Sequence, residues 1–248
     1  MEKIPLARRL AETRRPASPP VGYQRWSELL FLHWPVESTQ VQASLPPGLT
    51  VDTHEGVAYL GVVPFFMERV RPAWLPPVPG ISWFHELNVR TYVVDAQGRP
   101  GVWFYSLDCD QPLAVHLARR LFHLPYFFAR IHSSRMHDGI HYEARRPKGM
   151  ATDRFVWRRE STPIPTEPGT LDFFLIERYR LFAADGQGRL FTGRVHHAPY
   201  LISQPIVSAW STEAARLAGF PVQGPPGLIH AAERVDVTIH PLEPCAAE

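Results

Sequence analysis

The sequence predicts a mainly antiparallel β fold with a few short helices, its sheets curved into a barrel or cone around a cavity. Three observations carry that expectation. Apolar runs of strand length are separated by turn residues, as in VAYLGVVPFFM, Asp95-Ala96-Gln97-Gly98 and Asp185-Gly186-Gln187-Gly188. Glycine and proline together make up 42 of 248 residues, which favours short elements joined by turns. Strands do not alternate with helices, and no GxGxxG or phosphate-loop motif is present, so a doubly wound nucleotide-binding fold is excluded.

In chain order, residues 1–20 read as a flexible basic arm and residues 21–248 as one domain. Residues 1–25 carry six basic and two acidic side chains. Trp26–Trp34 is a core strand, and Ser38 or Thr39 caps a helix to Leu45 that stops at Pro46-Pro47-Gly48. Val57–Met67 is a buried strand. Pro72–Gly80 is a proline-rich loop whose Trp74 and Leu75 are expected to fold back over the mouth of a cavity. Trp83–Val94 and Gly101–Cys109 form a hairpin, and Asp110 caps a helix from Pro112 to Phe122. Phe127–Ser134 and Ile140–Arg145 pair around Asp138-Gly139, and Phe155–Glu160 is a further strand. Leu171–Ala183 and Leu190–His197 read as strands, Ser211 as the cap of a helix to Leu217, and Val235–His240 as a closing strand.

Formal charge of +2 is too small and too local for a nucleic-acid footprint. No apolar run reaches membrane-span length, and the N-terminus lacks the hydrophobic segment of a secretory signal. Only two cysteines are present, Cys109 and Cys245, which points to a cytoplasmic, reducing setting. Asp108 and Asp110 flank Cys109 and disfavour its thiolate. Exposed strand edges leave room for a homodimer, though no segment argues for one.

The chemistry concentrates on HELNVRTYV. Side chains alternate faces along a strand, so Glu86, Asn88, Arg90 and Tyr92 share one face, while Leu87, Val89, Thr91 and Val93 share the other. An inward face so polar has to satisfy its charges internally or with a ligand. If Leu171–Ala183 is a strand, Glu177 and Arg178 point to opposite faces, and either could face the interior. Neighbours His196 and His197 then point opposite ways and cannot chelate together. With no HExxH or CxxC present, no metal and no cofactor are expected. His197 remains a proton-transfer candidate. Ser133 and Ser134 lack a nucleophile elbow, and no serine triad is evident.

The blocks WSELLFLHWPV, LPPGL, VAYLGVVPFFM, FHELNVRTYV, GVWFYSLDCD, LPYFFA, FFLIERYRLF and VHHAPY resemble the YqjF-like uncharacterised family (domain of unknown function 2071) over Tyr23 to Leu242. That family is distantly similar to the acetoacetate decarboxylase superfamily, which implies an acetoacetate decarboxylase-like sheet around an internal ligand cavity. In that superfamily a lysine makes a Schiff base with a ketone. The resemblance places Tyr126, after Pro125, at the lysine position, Glu86 at the strand glutamate, and Arg119 or Arg120 at the helical arginine. A phenol cannot form an imine, and the only lysines, Lys3 and Lys148, lie outside the motif. The expectation is a domain binding a small organic acid or carbonyl compound through Glu86, Asn88, Arg90, Tyr126, Glu177 and His197. Its alternatives are a cofactor-free lyase, hydrolase or isomerase of a small oxo acid, with Tyr126, Glu86 and Arg90 catalytic, and a packed protein-interaction domain.

Overall fold

The computed structural model describes residues 4–147, 149 and 151–245. Helix α1 (Leu6–Glu12) begins directly after Pro5. Strand β1 (Gly22–Val36) outruns the expected segment at both ends, and α2 (Ser38–Ser44) ends ahead of Pro46. β2 (Leu49–Val51) and β3 (Ala58–Pro72) follow, then β4 (Phe84–Asp95) and β5 (Pro100–Cys109). Asp95 closes the β4–β5 turn by accepting the Arg99 N–H at 2.8 Å, while Gly98 takes the left-handed backbone, φ 71°, that glycine tolerates best. Helix α3 (Pro112–Leu121) is capped by Gln111, whose side chain accepts the Leu113 N–H. The expected cap, Asp110, is held instead by the backbone and ring of His85.

β6 (Tyr126–Phe128), β7 (Arg130–Met136), β8 (Gly139–Arg145), β9 (Asp153–Arg159) and β10 (Ile164–Pro165) come next. Then the chain departs from its sequence reading. Leu171–Ile176 is helix α4 and only Arg180–Ala184 is a strand, β11. Thr170 caps α4 by accepting the Phe173 N–H, and Phe173 through Ile176 are all buried. An apolar run buried on every side carries no period-two signal, so alternation misassigned it. β12 (Leu190–His196), β13 (Leu201–Ser203), β14 (Pro205–Ala209), α5 (Glu213–Leu217), β15 (Leu228–Ile239) and β16 (Glu243–Pro244) complete the order. Ser211 does not cap α5; its hydroxyl accepts the Arg154 N–H at 3.0 Å.

The main sheet has twelve strands in the order β10-β13-β15-β1-β3-β4-β5-β11-β12-β16, with β2 on β4 and β6 on β5. β14-β9-β8-β7 form a separate sheet of four strands. The expected barrel or cone around a cavity is therefore corrected. The main sheet has two free ends, β10 and β16, and curls back on itself through Val195↔Ile239 and His196↔Thr238. α4 and large side chains fill the space on its concave side. That inner core includes Phe31, Phe65, Tyr92, Leu107, Phe174, Leu175, Tyr200 and Val237. A second core, with Leu30, Leu87, Val89, Tyr142 and Trp157, lies between the outer face and the four-stranded sheet.

Two further expectations are revised. Trp74 is 77% exposed and Leu75 is also exposed, so the Pro72–Gly80 loop does not fold its large groups onto the body. Val78 N–H to Ser82 Oγ and Arg71 to the Leu75 carbonyl hold that loop from within. The basic arm is anchored: Arg9 makes two 2.7 Å bonds to Asp52, and Glu12 accepts from Arg180 at 3.0 and 3.1 Å. Among the described residues no helix is long and apolar enough to cross a membrane.

Candidate functional site

Strand alternation places Glu86, Asn88, Arg90 and Tyr92 of β4 on the inner face, as the sequence indicates, and all four are buried. β6 runs parallel to β5 with Tyr126 opposite Leu107, which brings the Tyr126 hydroxyl to Glu86. That hydroxyl donates to Glu86 Oε2 at 2.6 Å. Burial, partly offset by hydrogen bonds from Tyr126 and Asn88, lifts the Glu86 carboxyl to about 7. Burial and the adjoining Glu86 push the Tyr126 phenol well above its ordinary value. At neutral pH this is a neutral phenol beside a carboxyl poised between its two states.

Arg90 lies deeper. Its guanidinium donates to the Leu175 carbonyl at the end of α4, at 3.3 Å, and its Nε has no partner. It sits 5.5 Å from the Phe31 ring centre and 5.9 Å from that of Tyr92. No carboxylate among the described residues pairs with it. The Tyr92 hydroxyl donates to the same carbonyl at 2.9 Å and meets His33 Nε2 at 2.7 Å. Burial, then the Arg90 charge, hold His33 well below the usual imidazole range, so it is neutral.

A second polar group gathers around Glu177, the residue after α4. Glu177 accepts from the Tyr179 hydroxyl and from the Tyr200 N–H, the latter at 2.9 Å, and burial raises its carboxyl. His197 stacks on Tyr179 with ring centres 4.5 Å apart. Its Nδ1 is 2.7 Å from the Ala198 carbonyl, which can only accept, so Nδ1 carries the proton and Nε2 is the acceptor. Nε2 is buried without a partner, and burial lowers this imidazole to about 4. Arg178 turns away to Asp52 at 3.0 Å. Tyr200 packs edge-on to Phe31 and feels the charges of both Arg90 and Glu177.

The six expected site residues thus form two inner-face groups, Glu86–Asn88–Tyr126 and Glu177–His197, with Arg90 further along β4 and Tyr200 near both Arg90 and Glu177. Tyr92 was read on the polar face with Glu86, Asn88 and Arg90, whereas His33, Tyr200 and the Leu175 carbonyl escaped the sequence reading. His33 alternates with Phe31 and Leu29 along β1, a signal that was available; the carbonyl depends on a helix read as strand. Arg119 and Arg120, matched to a helical arginine by resemblance, are exposed on α3. Lys3 and Lys148 lie outside the described residues. Cys109 is buried, and burial raises its thiol strongly. Among the described residues no cluster of histidine, cysteine and carboxylate side chains has metal-binding geometry. His85 points outward, to Asp110 and Ser133, so a serine–histidine–aspartate trio does assemble, contrary to the sequence reading.

A small cavity of about 10 Å³, lined by Arg9, Glu12, Glu177, Arg178 and Tyr179 among others, lies where α1 meets α4. A shallow outer groove of about 540 Å³ runs between Pro35–Gln40 and Phe220–Val222.

Comparison with solved structures defines the fold class as acetoacetate decarboxylase-like. Acetoacetate decarboxylase from Legionella pneumophila is similar at a TM-score of 0.62 and 14% identity, over 95% of this chain and 94% of that one. The enduracididine biosynthesis enzyme MppR complexed with pyruvate is similar at a TM-score of 0.63 and 14% identity, over 95% and 93%. The chain belongs to the DUF2071 family of uncharacterised conserved proteins, matched over residues 23–236. It is 38% identical over 222 residues to the uncharacterised protein YqjF of Bacillus subtilis, spanning 88% of this chain and 90% of that protein.

Proposed function

We propose that this protein binds a small organic acid or carbonyl compound against the inner face of its main sheet, with Arg90 as the anion-binding group. The observation that carries this reading is the Arg90 guanidinium, 9% exposed, with one long hydrogen bond and no carboxylate partner among the described residues. A buried charge without a counter-ion costs several kcal/mol, and a ligand carboxylate bound through paired N–H donors removes that cost. Neutral His33, the Tyr200 hydroxyl and the Glu86–Tyr126 pair give such an acid polar surroundings without a competing full negative charge. The fold is shared with a protein complexed with pyruvate, which makes small oxo acids the first class to test. Chemistry at position 126 proceeds without an imine, because tyrosine has no amine.

The interior is closely filled, so a ligand larger than water has to be admitted by movement. Arg9 and Glu12 of α1 line the small cavity beside Glu177, so α1 is the element whose movement is tested first. Calorimetric titration with pyruvate, acetoacetate and longer oxo acids tests the reading. Binding of at least one acid is expected, weakened about 100-fold or more in Arg90→Met with the melting transition retained. No heat with any acid of the series, or equal affinity in Arg90→Met, would overturn it.

A second reading, a cofactor-free enzyme acting on the same acid, draws on the Glu86–Tyr126 pair. A carboxyl near 7 can give or take a proton at neutral pH, and the phenol can stabilise a developing oxyanion. Tyr126→Phe then lowers turnover with little change in affinity, whereas unchanged turnover on a bound substrate removes the catalytic role.

A further inference from the structure

On the opposite side of β4 from Glu86, three side chains from separate segments meet in a hydrogen-bonded line. His85 Nδ1 is 2.7 Å from Asp110 Oδ2, and His85 Nε2 is 2.8 Å from Ser133 Oγ. The other oxygen of Asp110 accepts the His85 backbone N–H at 2.8 Å, so one carboxylate fixes both the ring and its strand. A carboxylate only accepts, so Nδ1 carries the proton, and the lone pair of Nε2 faces the serine hydroxyl. His85 and Asp110 side chains are each 22% exposed and Ser133 is half-buried, which leaves the line open to small molecules.

The surroundings add donors. β7 is an edge strand of the four-stranded sheet, so alternate backbone N–H groups along it have no ladder partner. Tyr142, paired with Ser133 across β7 and β8, meets the His85 ring edge-on at 5.8 Å between centres. Its hydroxyl is buried and unpartnered among the described residues. Phe66 also packs on the imidazole, 4.9 Å between ring centres, and touches Tyr142 edge-on at 6.2 Å.

From this geometry we infer a second, outward-facing site at which Ser133 is a nucleophile for acyl transfer from small carboxylic esters, His85 its general base and Asp110 the positioning residue. Ser133 Oγ bonds to the acyl carbon as its proton passes to His85 Nε2. The bond to the leaving alcohol breaks as that proton moves to the alcohol oxygen. Water, deprotonated by His85, then cleaves the acyl-serine, releasing the carboxylic acid and restoring the serine hydroxyl. Edge N–H groups of β7 are the donors available to the oxyanion. Nothing in this site depends on ligand binding at Arg90.

The test uses the full chain with a fluorophosphonate, which forms a stable adduct with activated serines, and with p-nitrophenyl acetate. The adduct is expected to map to Ser133, to disappear in Ser133→Ala, and to persist in Ser134→Ala. His85→Gln lowers labelling and ester hydrolysis by about 10²- to 10⁴-fold, the usual range for a positioned general base. Asp110→Asn lowers kcat while leaving KM and the melting transition in place, a split that a merely structural aspartate would not produce. No adduct at Ser133 in the native protein, or labelling of Ser133 at the same rate in His85→Gln, would overturn the assignment.

Discussion

Glu86 and Arg90 lie four residues apart on the same face of β4, each two residues from Asn88, and both are buried. The guanidinium has no carboxylate partner among the described residues, whereas burial moves the Glu86 carboxyl toward its neutral form, to about 7. In the absence of ligand, Arg90→Met should leave stability unchanged or raise it by about 1 kcal/mol or more, since it removes a buried charge that no carboxylate offsets. Chemical denaturation checks this, and a loss of several kcal/mol would show that Arg90 is structurally satisfied. For Glu86 the folded value lies above that of the unfolded chain, so between about 4.5 and about 7 the unfolded state releases its proton first. Stability from this group is therefore fully present below the unfolded value and declines as pH rises to about 7, by roughly 3 kcal/mol at most. Other groups slope the other way; His197, lowered to about 4, gains stability with pH over the range where Glu86 loses it. The difference between the native protein and Glu86→Gln isolates the Glu86 contribution. Denaturation at pH 5 and pH 8 should show the native protein losing stability relative to Glu86→Gln as pH rises, and parallel curves would refute the raised carboxyl. Residue identity and face were legible here, because HELNVRTYV alternates cleanly. The partners were not, because Tyr126 is 40 residues from Glu86 and meets it only through the parallel β5–β6 pairing.

At the scale of elements, α4 decides what the inner face can hold. Its six residues plug the concave side of the main sheet, and its last carbonyls serve the polar groups there. Leu175 accepts from Tyr92 and Arg90, and Phe174 accepts from Arg178 at 2.6 Å. Phe174 packs 5.3 Å from the Tyr92 ring centre, with the Arg9 and Arg178 guanidiniums 4.9 and 4.3 Å from its own ring centre. Phe174→Ala should cost about 3–5 kcal/mol, combining lost transfer energy with a cavity under two cations. Thr170→Ala, which removes the cap and the hydroxyl's 2.7 Å bond to the Glu167 carbonyl, should cost about 1 kcal/mol. Urea unfolding of both variants checks the order, and comparable losses would mean that α4 is held by its cap and not by its core face. The sequence reading missed this helix because its buried run, Phe173–Ile176, is apolar throughout and too short to show a helical period. The hairpins were easier: Asp95–Gly98, Asp138–Gly139 and Asp185–Gly188 each put turn chemistry between two strand-length runs. The Ser133–His85–Asp110 line was hidden for a third reason. Its members lie 25 and 48 residues apart, and only the packing of the four-stranded sheet on the main sheet joins them.

Across the whole molecule, the N-terminal segment acts as a clamp built from shared carboxylates. Asp52, just beyond β2, accepts two 2.7 Å bonds from Arg9 of α1 and one of 3.0 Å from Arg178, between α4 and β11. Glu12 joins α1 to Arg180 of β11, and Arg194 of β12 donates to the Arg14 carbonyl at 2.7 Å. Three regions distant in sequence are thereby fixed to a helix that contributes no buried side chain of its own. The two arginines on Asp52 are not equivalent. The Arg178 side chain is 5% exposed; burial lowers its guanidinium to about 10, which still leaves it charged at neutral pH. Removing the carboxylate therefore strands a buried cation, and Asp52→Asn should destabilise the protein by about 3–5 kcal/mol. Arg9→Met leaves Asp52 paired with Arg178, so it should cost only about 1–2 kcal/mol. It should also speed hydrogen exchange across Leu6–Glu12 and, if α1 covers the route to Arg90, raise the association rate of a bound acid more than its affinity. Equal losses from the two variants would refute the shared-carboxylate account. Faster exchange in α1 with an unchanged association rate would place the entrance elsewhere, while leaving the clamp intact.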